Sequence, residues 1–181
     1  QGLQHTALAF EGAEPGLLDR APRPPNQPVF DRMMISQTVV SGLFMGAVGY
    51  LFFAWMLDQG WPEHQARNAL LLLLVLFENA HVLNCRSETR SVFRVPLSAN
   101  WLLVGAVIIS QGAHILAMHL PGFSSVLRVE AVDLETWLLV AVIAASVILM
   151  MELFKVIQRM VYPVSGAIGA GMRRNGSFPR K

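Results

Sequence analysis

Four long apolar stretches, separated by polar segments, dominate the chain. They run from about 33 to 57, 66 to 84, 100 to 120 and 137 to 157. A helix needs roughly 20 predominantly apolar residues to cross a bilayer, and each stretch approaches that length. No polar residue interrupts 70–77, whereas an amphipathic helix of a soluble protein would carry one every three or four positions. The pattern predicts an all-α membrane protein whose fold is a bundle of four transmembrane helices.

The composition supports the same class. Hydrophobic residues make up 54% of the 181 positions and charged residues only 14%, and the mean hydropathy is +0.47. A soluble globular domain carries about 25% charged residues, because its surface has to be solvated. An ordinary soluble domain is therefore excluded, and the charges cluster between the apolar stretches, as in a multi-pass membrane protein.

The distribution of basic residues predicts an orientation. The two loops that follow the first and third spans carry only Arg67 and Arg128 as basic residues, together with several acidic ones. The other arginines precede the first span, lie between the second and third, or follow the fourth, as do Arg20, Arg23, Arg32, Arg86, Arg90, Arg94, Arg159, Arg173, Arg174 and Arg180. The positive-inside rule then places both termini and the middle loop in the cytoplasm.

The segments outside the spans differ from the spans and from each other. Residues 1–32 are polar and contain four prolines between 22 and 28, which favour a stiff, extended loop over a helix. Residues 163–181 are rich in glycine and arginine, a composition typical of a disordered basic tail. We therefore divide the chain into a lead-in over 1–32, a transmembrane domain over 33–162 and a tail over 163–181.

Glu78 is the first candidate functional residue, because it lies inside the second apolar stretch. An ionisable side chain there is expensive and usually faces a protein interior or a water-filled cavity. His81 and Asn84 follow at helical spacing on the same face. Carboxylate and amide oxygens suit hard cations, whereas imidazole suits transition metals. The spacing alone leaves two interpretations equally open: a cation site, or a hydrogen bond to a neighbouring helix.

Two further polar pairs lie within the spans. Gln111 and His114 in the third span favour hydrogen bonding between helices over a ligand set. Glu152 and Lys155 in the fourth span are three residues apart, which favours a local ion pair with the lysine reaching the membrane interface.

Several motifs resemble the C-terminal transmembrane region of type II, calcium-pump-like P-type cation-transporting ATPases. Residues 78–88 (ENAHVLNCRSE) resemble the eighth transmembrane helix and the loop after it. Residues 132–138 (VDLETWL) and 152–155 (ELFK) resemble the start and the end of the tenth helix. Residues 2–10 resemble the end of the sixth helix, and 19–23 (DRAPR) the following loop. The resemblance implies that the four spans are the family's seventh to tenth helices.

The resemblance also implies roles for individual residues. Glu78 falls at the position of the one glutamate that these helices lend to a cation site. Gln1 stands where calcium pumps carry a ligand aspartate, and His81 replaces an asparagine, so the identity of the cation is left open.

The same resemblance gives the Pro-rich loop a role. The loop with Asp19, Arg20 and Arg23 would contact the phosphorylation domain and couple its state to the membrane helices.

The expected function is that of a C-terminal fragment of an ATP-driven cation pump in a bacterial plasma membrane. The parent would use ATP and Mg²⁺, and its partners would be the bilayer, the remaining pump domains and the transported cation, with no nucleic acid. The chain carries no cofactor site and no phosphorylation or nucleotide-binding domain, so it would not hydrolyse ATP alone. The alternative is a stand-alone four-helix membrane scaffold or accessory subunit without enzyme activity. A secondary transporter would require an inverted repeat, which the sequence lacks.

The charge distribution generates a topological prediction. Single cysteines introduced at Arg90 and at Glu130, in a background with Cys85 replaced by serine, should react with a membrane-impermeant thiol reagent from opposite sides of the membrane. The measurement is labelling in sealed vesicles of known orientation. Labelling of both positions from the same side would rule out four spans with the middle loop in the cytoplasm.

Overall fold

The computed structural model describes residues 2–13, 28, 30–87 and 90–161. Its helices run in the order α1 (Gly2–Leu8), α2 (Arg32–Asp58), α3 (Glu63–Asn84), α4 (Trp101–His119), α5 (Pro121–Leu127) and α6 (Leu134–Val161). Two single turns of 3₁₀ helix, Val92–Arg94 and Leu97–Ala99, lie in the loop between α3 and α4. The described ranges contain no β-strand.

Four of these helices, α2, α3, α4 and α6, are long and apolar enough to cross a membrane. The predicted fold class, an all-α protein with four transmembrane helices, is confirmed. The short helix α5 was not predicted. It begins with Pro121, since proline favours the first helical position, and it is followed by Arg128 in the left-handed conformation (φ 54°). Residues 14–27, which hold most of the predicted Pro-rich loop, and the predicted tail over 163–181 lie outside the described residues.

The apolar core is formed by three of the spans, with α3 at its centre. Leu72, Leu73 and Phe77 of α3 are almost completely buried. They belong to one cluster with Phe52 and Met56 of α2 and with Val140, Ala144, Val147 and Met151 of α6. At Gly49 of α2, an added Cβ would lie 3.3 Å from the Leu70 side chain, so glycine allows close approach of α2 to α3.

The third span, α4, lies outside this core and joins it through α1. A second cluster of buried residues contains Ala7 of α1, Val82 of α3, and Leu103 and Ala106 of α4. The seven-residue helix α1 therefore contacts both α3 and α4, although it is too short to span a membrane. The architecture is a three-helix core with an α1–α4 pair against one side of α3.

Large apolar side chains cover the outer faces of the long helices. Leu43 and Tyr50 of α2, Ile108 of α4 and Leu149 of α6 are all more than 60% exposed. A soluble protein does not expose apolar surface on this scale, whereas lipid tails solvate it. The exposed faces agree with an integral membrane protein.

An ion-paired cluster anchors the end of α1 to the α3–α4 loop. Arg86 is buried, and its Nε and Nη2 donate to the two carboxylate oxygens of Glu11 at 3.0 and 2.7 Å. Arg86 also donates to the backbone oxygens of Val95 and Pro96. Asn100 donates to Glu11 Oε2 at 3.0 Å and to the last turn of α1. We call Glu11, Arg86 and Asn100 the Arg86 cluster.

Lys155, in the last part of α6, forms a second link to the α3–α4 loop, and its position differs from the prediction. Lys155 was predicted to reach the membrane interface, and this is wrong, because its side chain is only 1% exposed. Its Nζ donates to the backbone oxygens of Asn84 (3.2 Å) and Arg90 (3.0 Å). Asn84 is the last residue of α3, and the last carbonyls of a helix have no partner within that helix, so Lys155 supplies one. The predicted ion pair with Glu152 is present, with 3.7 Å between Nζ and Oε1.

The Arg86 cluster generates a stability prediction. Glu11→Gln removes the charge that compensates buried Arg86, so it should lower the free energy of unfolding by about 1–3 kcal/mol at neutral pH. The measurement is thermal unfolding of the purified protein in detergent. Glu63→Gln is the matched control, because the Glu63–Arg67 pair is exposed and should contribute less than about 1 kcal/mol. Equal effects of the two substitutions would contradict a structural role for the cluster.

The same variant should change the pH dependence of stability. The hydrogen bonds from Arg86 lower the pKa of Glu11 in the folded state. The stabilisation is therefore complete above the carboxyl's ordinary pKa and is lost as the pH falls through the lowered folded-state pKa. Glu11→Gln should remove this acid-side loss.

Candidate functional site

The carboxylate of Glu78 lies at the contact between α3 and α1. Its side chain is 24% exposed, and Oε1 is 3.5 Å from Nε2 of His5 on α1. The buried Ala7 of α1, packed with Val82 of α3, holds the short helix at this position. Glu78 therefore meets a polar group of another helix, as expected for a carboxylate within a membrane-spanning helix.

Three side-chain amides cross the same region from α1 to α4. Gln4 of α1 is completely buried, and its Nε2 donates to Oδ1 of Asn79 on α3. Asn79 in turn donates from Nδ2 to Oε1 of Gln111 on α4, at 2.7 Å. We call Gln4, Asn79 and Gln111 the amide chain. Gln111 thus bonds between helices, as its position in the third span predicted.

Several buried polar atoms in this region have no hydrogen-bond partner within the described part of the chain. Those on α1 and α4 are Oε1 of Gln4, Nε2 of Gln111 and Nε2 of His114. A buried polar atom left unpaired costs about 1–3 kcal/mol, so such atoms normally bind water or another polar group. The contact of α1 with α3 and α4 is therefore suited to water or ions, unlike the apolar core of α2, α3 and α6.

His81 and Asn84 were predicted to share a face with Glu78. In the structure, it is His5 of α1 that lies near the Glu78 carboxylate. His81 Nδ1 and both side-chain polar atoms of Asn84 are buried and have no hydrogen-bond partner in the described residues. The described ranges contain no group of three or more His, Cys, Asp or Glu side chains able to hold a metal ion. Glu78 would therefore have to share a cation with neutral oxygens, such as Gln4 Oε1, or with residues outside the described ranges.

Four of the predicted functional residues are not placed by the structure. Gln1, Asp19, Arg20 and Arg23 lie outside the described residues, and their roles stay predictions.

Sequence reasoning missed the amide chain and the partner of Glu78. Gln4 and His5 lie in a stretch interpreted only as a helix end and loop, and nothing in it indicated that it packs on α3. Asn79 could have been found from the sequence, because it is a second polar residue, next to Glu78, within an apolar span.

Comparison with known proteins gives a consistent family. Residues 1–157 match the family described as "Cation transporting ATPase, C-terminus". The probable cation-transporting ATPase F of Mycobacterium tuberculosis is 33% identical over 141 residues, which cover 77% of this chain and 16% of that protein. The endoplasmic reticulum calcium ATPase srcA of Aspergillus fumigatus is 25% identical over 206 aligned positions, which cover 97% of this chain and 21% of that protein.

The chain thus spans about a sixth to a fifth of the length of these curated relatives. The match covers α1 to α5, the loops between the helices, and α6 up to residue 157. With its four apolar helices and the match over 1–157, the chain belongs to the C-terminal domain family of P-type cation-transporting ATPases.

Proposed function

We propose that this domain works within an ATP-driven cation pump, to which it supplies support helices and one carboxylate of the cation site, Glu78. The observation that carries the proposal is the position of Glu78 at the α1–α3 contact, 3.5 Å from His5. ATP and Mg²⁺ would be used by pump domains outside this chain. The partners would be those domains, the remaining helices, the bilayer and the transported cation.

The chemistry of the region favours a hard cation. Glu78 offers carboxylate oxygens, and the unpartnered Oε1 of buried Gln4 lies on the helix that Glu78 contacts. Gln1, at the position of a ligand aspartate in calcium pumps, offers a neutral amide, so the site would carry one negative charge fewer. His81 is a secondary candidate in this proposal, because imidazole suits transition metals better than hard cations.

A stand-alone scaffold without enzyme activity is the alternative, and the family match over 1–157 does not favour it. A scaffold would explain the hydrogen bonds between helices but would not require a carboxylate within a span. The pump would lie in a bacterial plasma membrane. Both termini of this chain would lie in the cytoplasm, because the arginine distribution indicates that orientation.

Glu78→Gln in the full-length pump tests the cation site. The substitution keeps the shape of the side chain and removes the charge, so cation-dependent phosphoenzyme formation should need at least about tenfold more cation, about 1.4 kcal/mol in binding. The measurement is phosphorylation by ATP during titration with Ca²⁺, Mn²⁺, Na⁺ and K⁺, to find which of them the wild-type pump requires.

Glu63→Gln is the control, because it removes the same charge from the exposed start of α3 and should leave the titration unchanged. Normal expression of Glu78→Gln with unaltered cation dependence would show that Glu78 is structural.

The Pro-rich loop is proposed to couple the phosphorylation domain to these helices. The Arg86 cluster supports this role, because Glu11 lies just before the loop and is tied to the α3–α4 loop. Movement of the loop would then act on α1, which contacts Glu78 through His5. Asp19, Arg20 and Arg23 would be its charged contacts.

Replacing Pro22, Pro24 and Pro25 together by glycine tests the coupling. The change adds backbone flexibility without altering charge, so turnover should fall while cation affinity and expression are retained. The measurement is steady-state ATP hydrolysis set beside the cation titration of phosphorylation. Unchanged turnover would mean that the loop is only a tether.

A further inference from the structure

We propose that Gln111 of α4 is a positioning residue for Glu78 and acts on it through Asn79. This inference rests on the proposed function, because it assigns to α4 a part in holding the cation-site carboxylate. Gln111 bonds to the residue next to Glu78, because its Oε1 accepts from Nδ2 of Asn79 at 2.7 Å.

The amide chain fixes the rotation of α3 at the level of Glu78. Asn79 is engaged at both ends of its side-chain amide, with Oδ1 bonded by Gln4 and Nδ2 bonded to Gln111. Successive residues of an α-helix are separated by a fixed rotation, 3.6 residues making one turn. Holding Asn79 between α1 and α4 therefore also fixes the direction in which Glu78 leaves the helix.

The other side of the Glu78 contact is held by the same chain. Gln4 is adjacent in sequence to His5, whose Nε2 lies 3.5 Å from the Glu78 carboxylate. Both members of this contact are thus immediate neighbours of a residue in the amide chain. Loss of the Gln111 end would leave Asn79 held from one side only, by Gln4, and would remove the link from α4 to this contact.

The position of α4 makes this bond important. α4 takes no part in the apolar core of α2, α3 and α6, and it meets α3 near the small cluster of Val82, Leu103 and Ala106. That cluster is apolar and does not prescribe a rotation as a directional hydrogen bond does. Gln111 thus gives a support helix a directional link to the residue beside Glu78.

The test is Gln111→Met in the full-length pump, because methionine fills similar space and its thioether is only a weak hydrogen-bond acceptor. Phosphorylation is titrated with whichever of Ca²⁺, Mn²⁺, Na⁺ or K⁺ the wild type requires. The cation concentration for half-maximal phosphorylation should rise about three- to tenfold, as expected for one hydrogen bond between membrane helices. Gln111→Asn, which keeps the amide but is too short to reach Asn79, should give a similar rise if the methionine variant does not fold.

Asn68→Leu is the matched control. Asn68 also lies on α3 and donates from its side-chain amide to a distant segment, to the backbone oxygen of Glu130 at 2.7 Å, but at the other end of the helix. Its loss should lower thermal stability comparably and leave the cation titration unchanged. An equal shift of the titration in Asn68→Leu would make the effect of Gln111 a general loss of stability and would overturn the proposal.

A double variant distinguishes the two proposals. If Gln111 acts through Glu78, then Gln111→Met should add little to the shift already caused by Glu78→Gln. Additive shifts in the double variant would overturn the positioning role of Gln111, and so would an unshifted titration of Gln111→Met when that of Glu78→Gln is shifted. Either result would leave the proposal of a cation site at Glu78 standing. No shift in Glu78→Gln would remove the proposed function and this inference with it.

Discussion

A carboxylate within an apolar helix has to be surrounded by protein or water, and this constraint organises the side of α3 that bears Glu78. The bilayer offers no hydrogen bonds, so a lipid-facing Glu78 would be strongly unfavourable. The chain meets the constraint with α1, a helix too short to span, whose His5 lies against the carboxylate. The packing of α1 against α3 and α4 is therefore a requirement of the carboxylate as well as of apolar burial.

The two sides of α3 consequently have different physical characters. Toward α2 and α6 it presents alanine, leucine and phenylalanine side chains in a tightly buried cluster, which suits a rigid support. Toward α1 and α4 it presents Glu78 and Asn79, and buried polar atoms there lack partners in the described residues. The Arg86 cluster links the segment after α1 to the α3–α4 loop, and Lys155 links α6 to the same loop. Charged groups as well as packing therefore hold α3 at the end near Glu78.

The sequence predicted the spans well, because long apolar runs have few alternatives in a membrane protein. The role of α1 was harder to predict, because seven residues with a mixed pattern carry no clear signal of what they pack against. The prediction for Lys155 was wrong for a related reason. A lysine near the end of a membrane helix usually extends to the interface. Here the backbone oxygens of Asn84 and Arg90 accept from its buried Nζ, and only the three-dimensional structure shows that they lie close to it. The amide chain likewise depends on which faces of three helices meet, which periodicity in one helix cannot specify.

The proposed place of Glu78 in a cation site can be tested by equilibrium binding, without relying on catalysis. Cation bound per molecule of full-length pump would be measured for the wild type and for Glu78→Gln, in the absence of ATP. We predict that the variant loses, or binds at least about tenfold more weakly, one of the cations that the wild type binds. Equal stoichiometry and equal affinity in the two proteins would contradict it.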